Sequence, residues 1–425
     1  MWLNKFFTEG KHRNMLFLKS ICIGILIWCS FYIFTPVNVI NPLSSEAIWF
    51  ILLNYITLIL GYFLTDLLFK KKTHSNTISK KSEEFIYVVI GLLLFSFVTR
   101  YIDLFFIREV SFFNSISTNK YNLAQEDKFS ITLGLLSVFR FLYFVPYLLY
   151  VVEKRSNKIL FFLCLLLFLI PIIEGILRGS RRLIFEPIGI LITIICIYNF
   201  SKLLTKKTIL ITVLGVVFAV FISNFILKER IQQNQKKEFL EKIYIAPYND
   251  LLPLKLETKE FLIQNKNFWI GNFTFTLLHA SQYILHGVYE FDHLQKTAPF
   301  KRKGMYNGFI VVKLLNKLNL TNIPLESLTN PTRRVTYITF FGGLYLDFGW
   351  FSLFAMLFLG AIQKFLFHYC RLNHYLKPLL IAIVFSNVFL LVFNFLRAGM
   401  FVFIFIYLLT LFLFSFTKKK LRKKI

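Results

Sequence analysis

Acidic residues and paired cysteines are scarce in this sequence. Asp and Glu together number 22 against 49 Lys and Arg, which gives a formal net charge of +27. The chain contains no Asp-x-Asp pair, no Walker-type phosphate loop and no His-Glu-x-x-His motif, and its five cysteines include no Cys-x-x-Cys pair. These absences argue against a disulfide framework, a zinc site and P-loop chemistry. We therefore expect no metal and no other cofactor, so that basic side chains have to stabilise any developing negative charge.

Long polar stretches are equally rare. Hydrophobic residues make up 56% of the chain, including 53 phenylalanines. A membrane-spanning helix needs about 20 mostly apolar residues, and the sequence contains ten such stretches, so it predicts an all-α polytopic membrane protein. Basic residues beside spans orient the chain and meet anionic lipid, which accounts for much of the charge without nucleic acid. The predicted spans are residues 16–34, 47–69, 85–107, 131–152, 159–177, 183–200, 208–227, 336–367, 378–396 and 400–416.

The predicted spans divide the chain into three parts. Residues 1–227 form a bundle of seven spans, residues 228–335 form the one large polar segment, and residues 336–425 carry the last three spans and a basic tail. With both termini in the cytoplasm, the cytoplasmic segments hold 22 Lys and Arg and the short outer loops hold seven. This asymmetry obeys the positive-inside rule. We expect the large segment to lie outside and to form short helices that cap the bundle.

The basic residues predicted to be outside are mostly arginine. Five of the seven are arginine, against four of the 22 inside, and three lie in the sequence RGSRR between spans five and six. A guanidinium keeps its charge and offers a planar fork of donors that matches phosphate oxygens. Arg100 and Arg140 lie within predicted spans, where a charge costs at least about 2.5 kcal/mol, although Asp103 can pair with Arg100 at i,i+3.

Each arginine alone fits either snorkelling to the headgroups or binding of an anion. The set as a whole favours a shared anionic ligand, and a lipid-linked pyrophosphate sits at the right depth between the spans. The candidate anion-binding residues are Arg100, Arg140, Arg178, Arg181, Arg182, Arg333, Arg334 and Arg397.

A second candidate constellation lies in the large polar segment. Five residues recur there at intervals of four, three, four and three, so that on a helix they share one face. A histidine or carboxylate on this face could accept a proton from a hydroxyl group, and His279, His286 and Glu290 are the candidates. The alternative is an interfacial helix whose polar face simply meets water, and Gly287 could also break the helix. The five residues are His279, Tyr283, His286, Glu290 and His293.

The start of predicted span eight carries a third group of polar and small residues. Gly342, Gly343 and Gly349 allow close packing or an irregular start to the helix. Asp347 has two possible roles, since it could hold an arginine or bind a sugar hydroxyl. The same two roles are open for Glu174 and Glu186, which flank RGSRR.

These features together resemble the Wzy-type O-antigen and capsular polysaccharide polymerases, the oligosaccharide repeat unit polymerases. The resemblance covers most of the chain as a layout of spans, an arginine-bearing short outer loop and a large outer loop. Its more specific elements are YILHGVYEFD at residues 283–292 and TYITFFGGLYLDFG at residues 336–349. Arg178 and Gly189 also fit an Arg-x10-Gly pattern, whereas Arg333 and Gly343 are one residue short of it.

The resemblance implies a metal-independent glycosyltransferase of a bacterial inner (plasma) membrane. Such an enzyme moves a glycan from undecaprenyl pyrophosphate onto the terminal sugar of a lipid-linked repeat unit, and it can work with a separate chain-length regulator. In this chain the arginines would hold the leaving pyrophosphate, and His279, His286 or Glu290 would be the base. An O-antigen ligase shares the topology and the donor, and a lipid-linked oligosaccharide flippase or exporter is a further alternative. The residues that would bind the pyrophosphate group are Arg178, Arg181, Arg182, Arg333 and Arg334.

Overall fold

The computed structural model of the protein describes most of the chain. The described residues are 11–68, 82–125, 130–198, 215, 217–218, 220–226, 229, 247–266, 268–297, 302–330, 333, 337–370, 373–397 and 399–422. Within these ranges the regular secondary structure is helical, with no β-strand and only an isolated bridge between Val37 and Leu254. The predicted all-α class is therefore confirmed.

Fifteen α-helices with defined bounds lie in the described residues, residues 220–226 are also helical, and short 3-10 or π turns join several of the helices. They are α1 (Lys11–Phe34), α2 (Ser45–Leu68), α3 (Ser82–Ile102), α4 (Ile116–Ala124), α5 (Ile131–Leu136), α6 (Val145–Val152), α7 (Lys158–Leu177), α8 (Arg182–Tyr198), α9 (Leu256–Gln264), α10 (Trp269–Thr297), α11 (Phe309–Lys317), α12 (Phe340–Phe348), α13 (Ser352–Tyr369), α14 (Lys377–Val388) and α15 (Gly399–Arg422).

Seven helical stretches within the described ranges are long and apolar enough to cross a membrane. They match predicted spans one to five, eight and ten, and they confirm the multi-pass membrane character of the chain. Their bounds are Met15–Phe34, Ser45–Thr65, Glu84–Ile107, Ile131–Val152, Lys158–Leu177, Phe340–Tyr369 and Gly399–Phe416.

The other three predicted spans differ from a full-length helix. Helix α8 has 17 residues, close to the predicted 183–200. Helix α14 ends at Val388, short of the predicted end at residue 396, because the chain turns there and brings Asn394 to Asn307, whose side chains hydrogen-bond at 2.6 Å. Half of the predicted span 208–227 lies outside the described residues.

Two predicted elements differ from the observed helices in length or continuity. Predicted span eight is interrupted at Gly349, whose φ of +55° suits glycine, so α12 and α13 are separate helices. In the predicted outer segment, α9 and α11 are short, as expected, but α10 has 29 residues and runs through Gly287 without a break. The expectation of short helices alone was wrong for this segment.

The core of the bundle depends on close contact between α2 and α13. A Cβ added to Gly61 would fall on the Leu357 carbonyl oxygen, and one added to Gly360 would fall on the Leu58 carbonyl oxygen. Small residues allow helix backbones to approach in this way inside membranes. Beside this contact the rings of Phe17 and Tyr62 stack with centroids 4.0 Å apart.

Helix α10 lies across the end of the bundle at which α1 ends and α2 begins. Asp292 of α10 accepts hydrogen bonds from the backbone N–H and the hydroxyl of Ser44, immediately before α2. We call this end of the bundle the site end. The RGSRR segment between α7 and α8 joins it, because Arg181 has electrostatic interactions with Tyr283 of α10.

Candidate functional site

A buried network of charged residues, the Glu174 cluster, forms around the ends of α3 and α7. Arg100 donates to Asp103 at 2.6 Å and to Glu174 at 2.9 Å, so the i,i+3 pair predicted from the sequence is confirmed. A π turn over Asp103–Ile107 follows α3, and Arg108 donates back to Asp103 at 3.1 Å. These charges are satisfied inside the protein, which is the condition for burying them.

Two further arginines complete the Glu174 cluster. Arg178 lies 2.9 Å from Glu174, and Arg140 lies 3.7 Å from the other oxygen of the same carboxylate. Their side chains are 34% and 19% exposed, whereas that of Arg100 is only 9% exposed. Among the described residues four arginines thus share two carboxylates, so positive charge outweighs negative charge there, and Arg140 and Arg178 are the most accessible members.

The second group, the His286 cluster, is built on α10. His279, His286 and Glu290 are all buried, with 4%, 1% and 0% of their surfaces exposed. The predicted helix and the shared face are therefore present. The alternative that this face simply meets water is wrong for these three residues, because neighbouring segments cover them.

Glu290 is fully engaged by its neighbours. It accepts a hydrogen bond from the Asn330 side chain at 2.9 Å and from Arg333 Nε at 3.0 Å, and Arg333 also donates to Asp250 at 2.6 Å. Burial alone would raise the pKa of Glu290, but the hydrogen bonds and charge of Arg333 outweigh it and lower that pKa. Glu290 is consequently an ionised carboxylate that positions Arg333, and Asn330 and Arg333 already take up its oxygens.

His286 differs from Glu290 in the partners of its side-chain atoms. Its Nδ1 lies 3.4 Å from the Tyr283 carbonyl oxygen, which can only accept, so Nδ1 carries the proton of the neutral ring. Burial lowers the pKa of His286 to about 4, although the charge of Glu290 opposes this shift. Among the described residues its Nε2 has no hydrogen-bond partner. His286 therefore presents an unprotonated nitrogen lone pair at neutral pH, and the Tyr248 ring packs 4.6 Å from its own ring, centroid to centroid.

The three arginines of RGSRR have different surroundings. Arg178 joins the Glu174 cluster, and Arg182 pairs with Glu186 one turn later in α8 at 3.0 Å. Gly179 makes the turn between them possible with a φ of +60°. Arg181 instead lies within electrostatic range of three tyrosines, and within the described part of the chain its guanidinium makes no hydrogen bond or ion pair. The tyrosines are Tyr248, Tyr283 and Tyr337.

Two predicted site residues have structural partners away from both clusters. Asp347 accepts hydrogen bonds from the backbone N–H groups of Tyr306 and Asn307 at 2.9 and 2.8 Å, so it fixes this turn. Arg397 donates to the Leu328 carbonyl oxygen at 2.8 Å, and its guanidinium lies 3.9 Å from the centroid of the Tyr306 ring. Such cation–π contacts hold an arginine in place. Arg334, also predicted to bind the anion, lies outside the described residues.

Sequence reasoning did not identify several residues that complete these clusters. Tyr248 and Asp250 lie in a short 3-10 turn, Pro247–Asp250, which has no helical periodicity to connect it with α10. Asn330 lies 40 residues from Glu290 in the sequence. Arg108 entered the sequence analysis only as one of the basic residues of a predicted outer loop. Its spacing of five residues from Asp103 is not one that pairs side chains on an α-helix.

The described residues hold no group of three or more His, Cys, Asp and Glu side chains that could bind a metal ion. Comparisons of this chain with protein-family models, with curated proteins and with solved structures gave no match.

Proposed function

We propose that this protein is a polysaccharide polymerase of the bacterial plasma membrane. It transfers a glycan from undecaprenyl pyrophosphate to the terminal sugar of a lipid-linked repeat unit on the outer face. The proposal includes ten spans, cytoplasmic termini and residues 228–335 on the outer side, and it requires no cofactor. The observation that carries it is Arg181, a guanidinium without a carboxylate partner among the described residues, within electrostatic range of the two tyrosines that pack against the neutral His286.

The reaction divides between these two residues. Nε2 of His286 takes the proton of the acceptor hydroxyl, whose oxygen bonds to the anomeric carbon of the donor glycan. The bond from that carbon to the phosphate oxygen breaks, and undecaprenyl pyrophosphate leaves with the bonding electrons. Arg181 meets the negative charge that develops on the leaving group.

The remaining arginines contribute unequally to the proposed anion site. Arg333 is neutralised by Glu290 and Asp250, and Arg182 by Glu186. Arg140 and Arg178 share Glu174 but belong to a cluster in which, among the described residues, arginines outnumber carboxylates. Arg181 is therefore the first candidate for the leaving group, and the Glu174 cluster adds a positive field beside it.

A deletion strain tests the function directly. We expect surface lipid carrying single repeat units, seen as loss of the ladder of long chains on a gel. Full-length chains in that strain would overturn the proposal. Loss of all attached sugar would replace the polymerase with a ligase or a flippase.

Complementation of the same strain tests the roles of the two residues. Arg181→Lys keeps the charge but loses the planar fork, so chain growth should fall about tenfold or more. His286→Gln removes the proton acceptor and should also stop chain growth. The matched control is Arg155→Lys. Arg155 pairs with Glu153 just before the first residue of α7, at the opposite end of that helix from RGSRR, and its substitution should leave chain length unchanged.

A further inference from the structure

An exposed apolar surface lies where α9 turns into α10, in a part of the chain that is not itself a candidate span. Three consecutive side chains at the turn are exposed, and two on one flank of α9 extend the surface. We call these five residues the tip patch. They are Leu256 (75% exposed), Ile263 (41%), Phe268 (61%), Trp269 (76%) and Ile270 (43%).

Backbone hydrogen bonds fix the depth of the start of α9. The Asn38 N–H donates to the Pro253 carbonyl at 2.7 Å, and the Lys255 N–H donates to the Pro36 carbonyl at 2.9 Å. The apolar helix α1, a candidate span, ends at Phe34. Helix α9 therefore begins within a few residues of the point where α1 leaves the apolar layer.

Helix α10 contacts the ends of three spans along its length. Thr276 donates to the side chain of Asn224, near the end of predicted span seven, at 2.9 Å. Phe275 and Leu285 pack in a cluster with Val37, just beyond α1. Asp292 holds Ser44 at the start of α2.

These contacts set the direction of α10. From Phe275 to Asp292 the helix covers about 25 Å at 1.5 Å per residue. A helix that meets span ends over this length lies along the end of the bundle, roughly parallel to the membrane surface. Its first residue, Trp269, therefore stays near the depth of the span ends.

We propose that the tip patch inserts into the membrane–water interface and that lipid covers it. Tryptophan and phenylalanine favour this region, where an apolar ring body meets the acyl chains. The exposed Lys255 and Lys266, at the two ends of α9, are placed to meet lipid phosphates. The exposed Glu260 and Glu257 form an acidic strip on α9 between the patch and Phe261 (42% exposed), and this strip meets water.

The anchor has a consequence for the whole site end. It holds α10, and with it His286, at headgroup depth by contact with lipid as well as by contact with the bundle. This inference does not depend on the proposed enzymatic activity, because it rests on exposure and on the placement of α9 and α10.

Fluorescence quenching of the full-length protein in liposomes tests the proposal. The liposomes contain phosphatidylcholine brominated near the headgroup end of its chains, and acrylamide serves as the aqueous quencher. The contribution of Trp269 is the difference between the native protein and Trp269→Phe. We expect bromolipid to quench this contribution by about half or more and acrylamide to leave it largely unchanged.

The matched control is Glu260→Trp, which adds a tryptophan to the acidic strip of the same hairpin. Its added signal should respond to acrylamide and not to bromolipid. If the Trp269 signal responds in that way as well, the patch faces water and the proposal is overturned. If neither quencher reaches Trp269, protein covers the patch, which also overturns it, and sedimentation would then show whether the cover is a second copy.

Discussion

Arg178 and Arg181 show how surroundings separate two identical side chains only three residues apart. Arg178 is held by the buried Glu174, whereas Arg181 lies within electrostatic range of tyrosines and has no carboxylate beside it in the described part of the chain. A bound pyrophosphate would compete with Glu174 at the first position but not at the second. The availability of an arginine for a ligand thus depends on which carboxylates the fold brings to it.

His286 leads to a prediction about stability and pH. In the unfolded chain its pKa is near 6.5, whereas burial lowers the pKa to about 4 in the folded protein. Between these two pH values the unfolded chain binds a proton at His286 and the folded protein does not. The contribution of the neutral imidazole to the free energy of unfolding is therefore complete above pH 6.5 and is lost as pH falls through 4. The loss amounts to about 3 kcal/mol. Thermal unfolding in detergent across this range measures it.

The control separates this histidine from the others. His286→Gln should flatten the fall of the unfolding temperature between pH 6.5 and pH 4, while His293→Gln, on the same helix but only partly buried, should leave the slope close to that of the native protein. Equal slopes in the native protein and in His286→Gln would contradict a buried neutral imidazole at this position.

The contact between α2 and α13 leads to a prediction at the scale of elements. Gly360→Ala places a methyl group against the Leu58 carbonyl, so the two helices have to move apart. We expect a loss of about 2 kcal/mol, as for other overpacked contacts, measured by thermal or denaturant unfolding in detergent. Gly91→Ala in α3 is the control, because nothing lies within 4 Å of the added methyl group there. A comparable loss in both variants would mean that helix propensity, and not this contact, decides the effect.

Helix α10 shows where local signals sufficed and where they failed. The spacing of His279, His286 and Glu290 predicted a helix with a shared face, and that prediction is confirmed. Gly287 suggested a break, but the helix continues through it. The absence of a Cβ at this position leaves room for Thr339 and the Val392 carbonyl. The burial of the face could not be predicted, since residues 247–250, Asn330 and Arg333 cover it from other parts of the sequence.

At the scale of the whole molecule, the charge distribution predicts which end of the bundle faces outward. Glu260 lies on α9 near the site end, and Ser156 lies in the exposed turn between α6 and α7. The two test variants are Glu260→Cys and Ser156→Cys. A maleimide that does not cross membranes should label Glu260→Cys in spheroplasts and Ser156→Cys only in inside-out vesicles, each above the background of the native protein. The reverse pattern would place the site end in the cytoplasm and contradict the proposed donor.

The sequence by itself determined the class of this protein and the positions of most of its helices. Hydropathy and length are local properties, so runs such as Lys158–Leu177 identify themselves without reference to the rest of the chain. The spacing of Arg100 and Asp103 likewise predicted their pair, because it depends on a single helix turn.

Only the tertiary structure decided which candidate residues can act together. Glu174 reaches Arg100 across 74 positions of sequence, and Glu290 reaches Arg333 across 43. Both carboxylates pair with arginines that the sequence had predicted to bind a ligand. Arg181 has no such carboxylate partner among the described residues and lies within electrostatic range of tyrosines. The physical reason is that neutralising a buried charge requires a partner within a few ångströms, and the fold, not the spacing along the chain, supplies that partner.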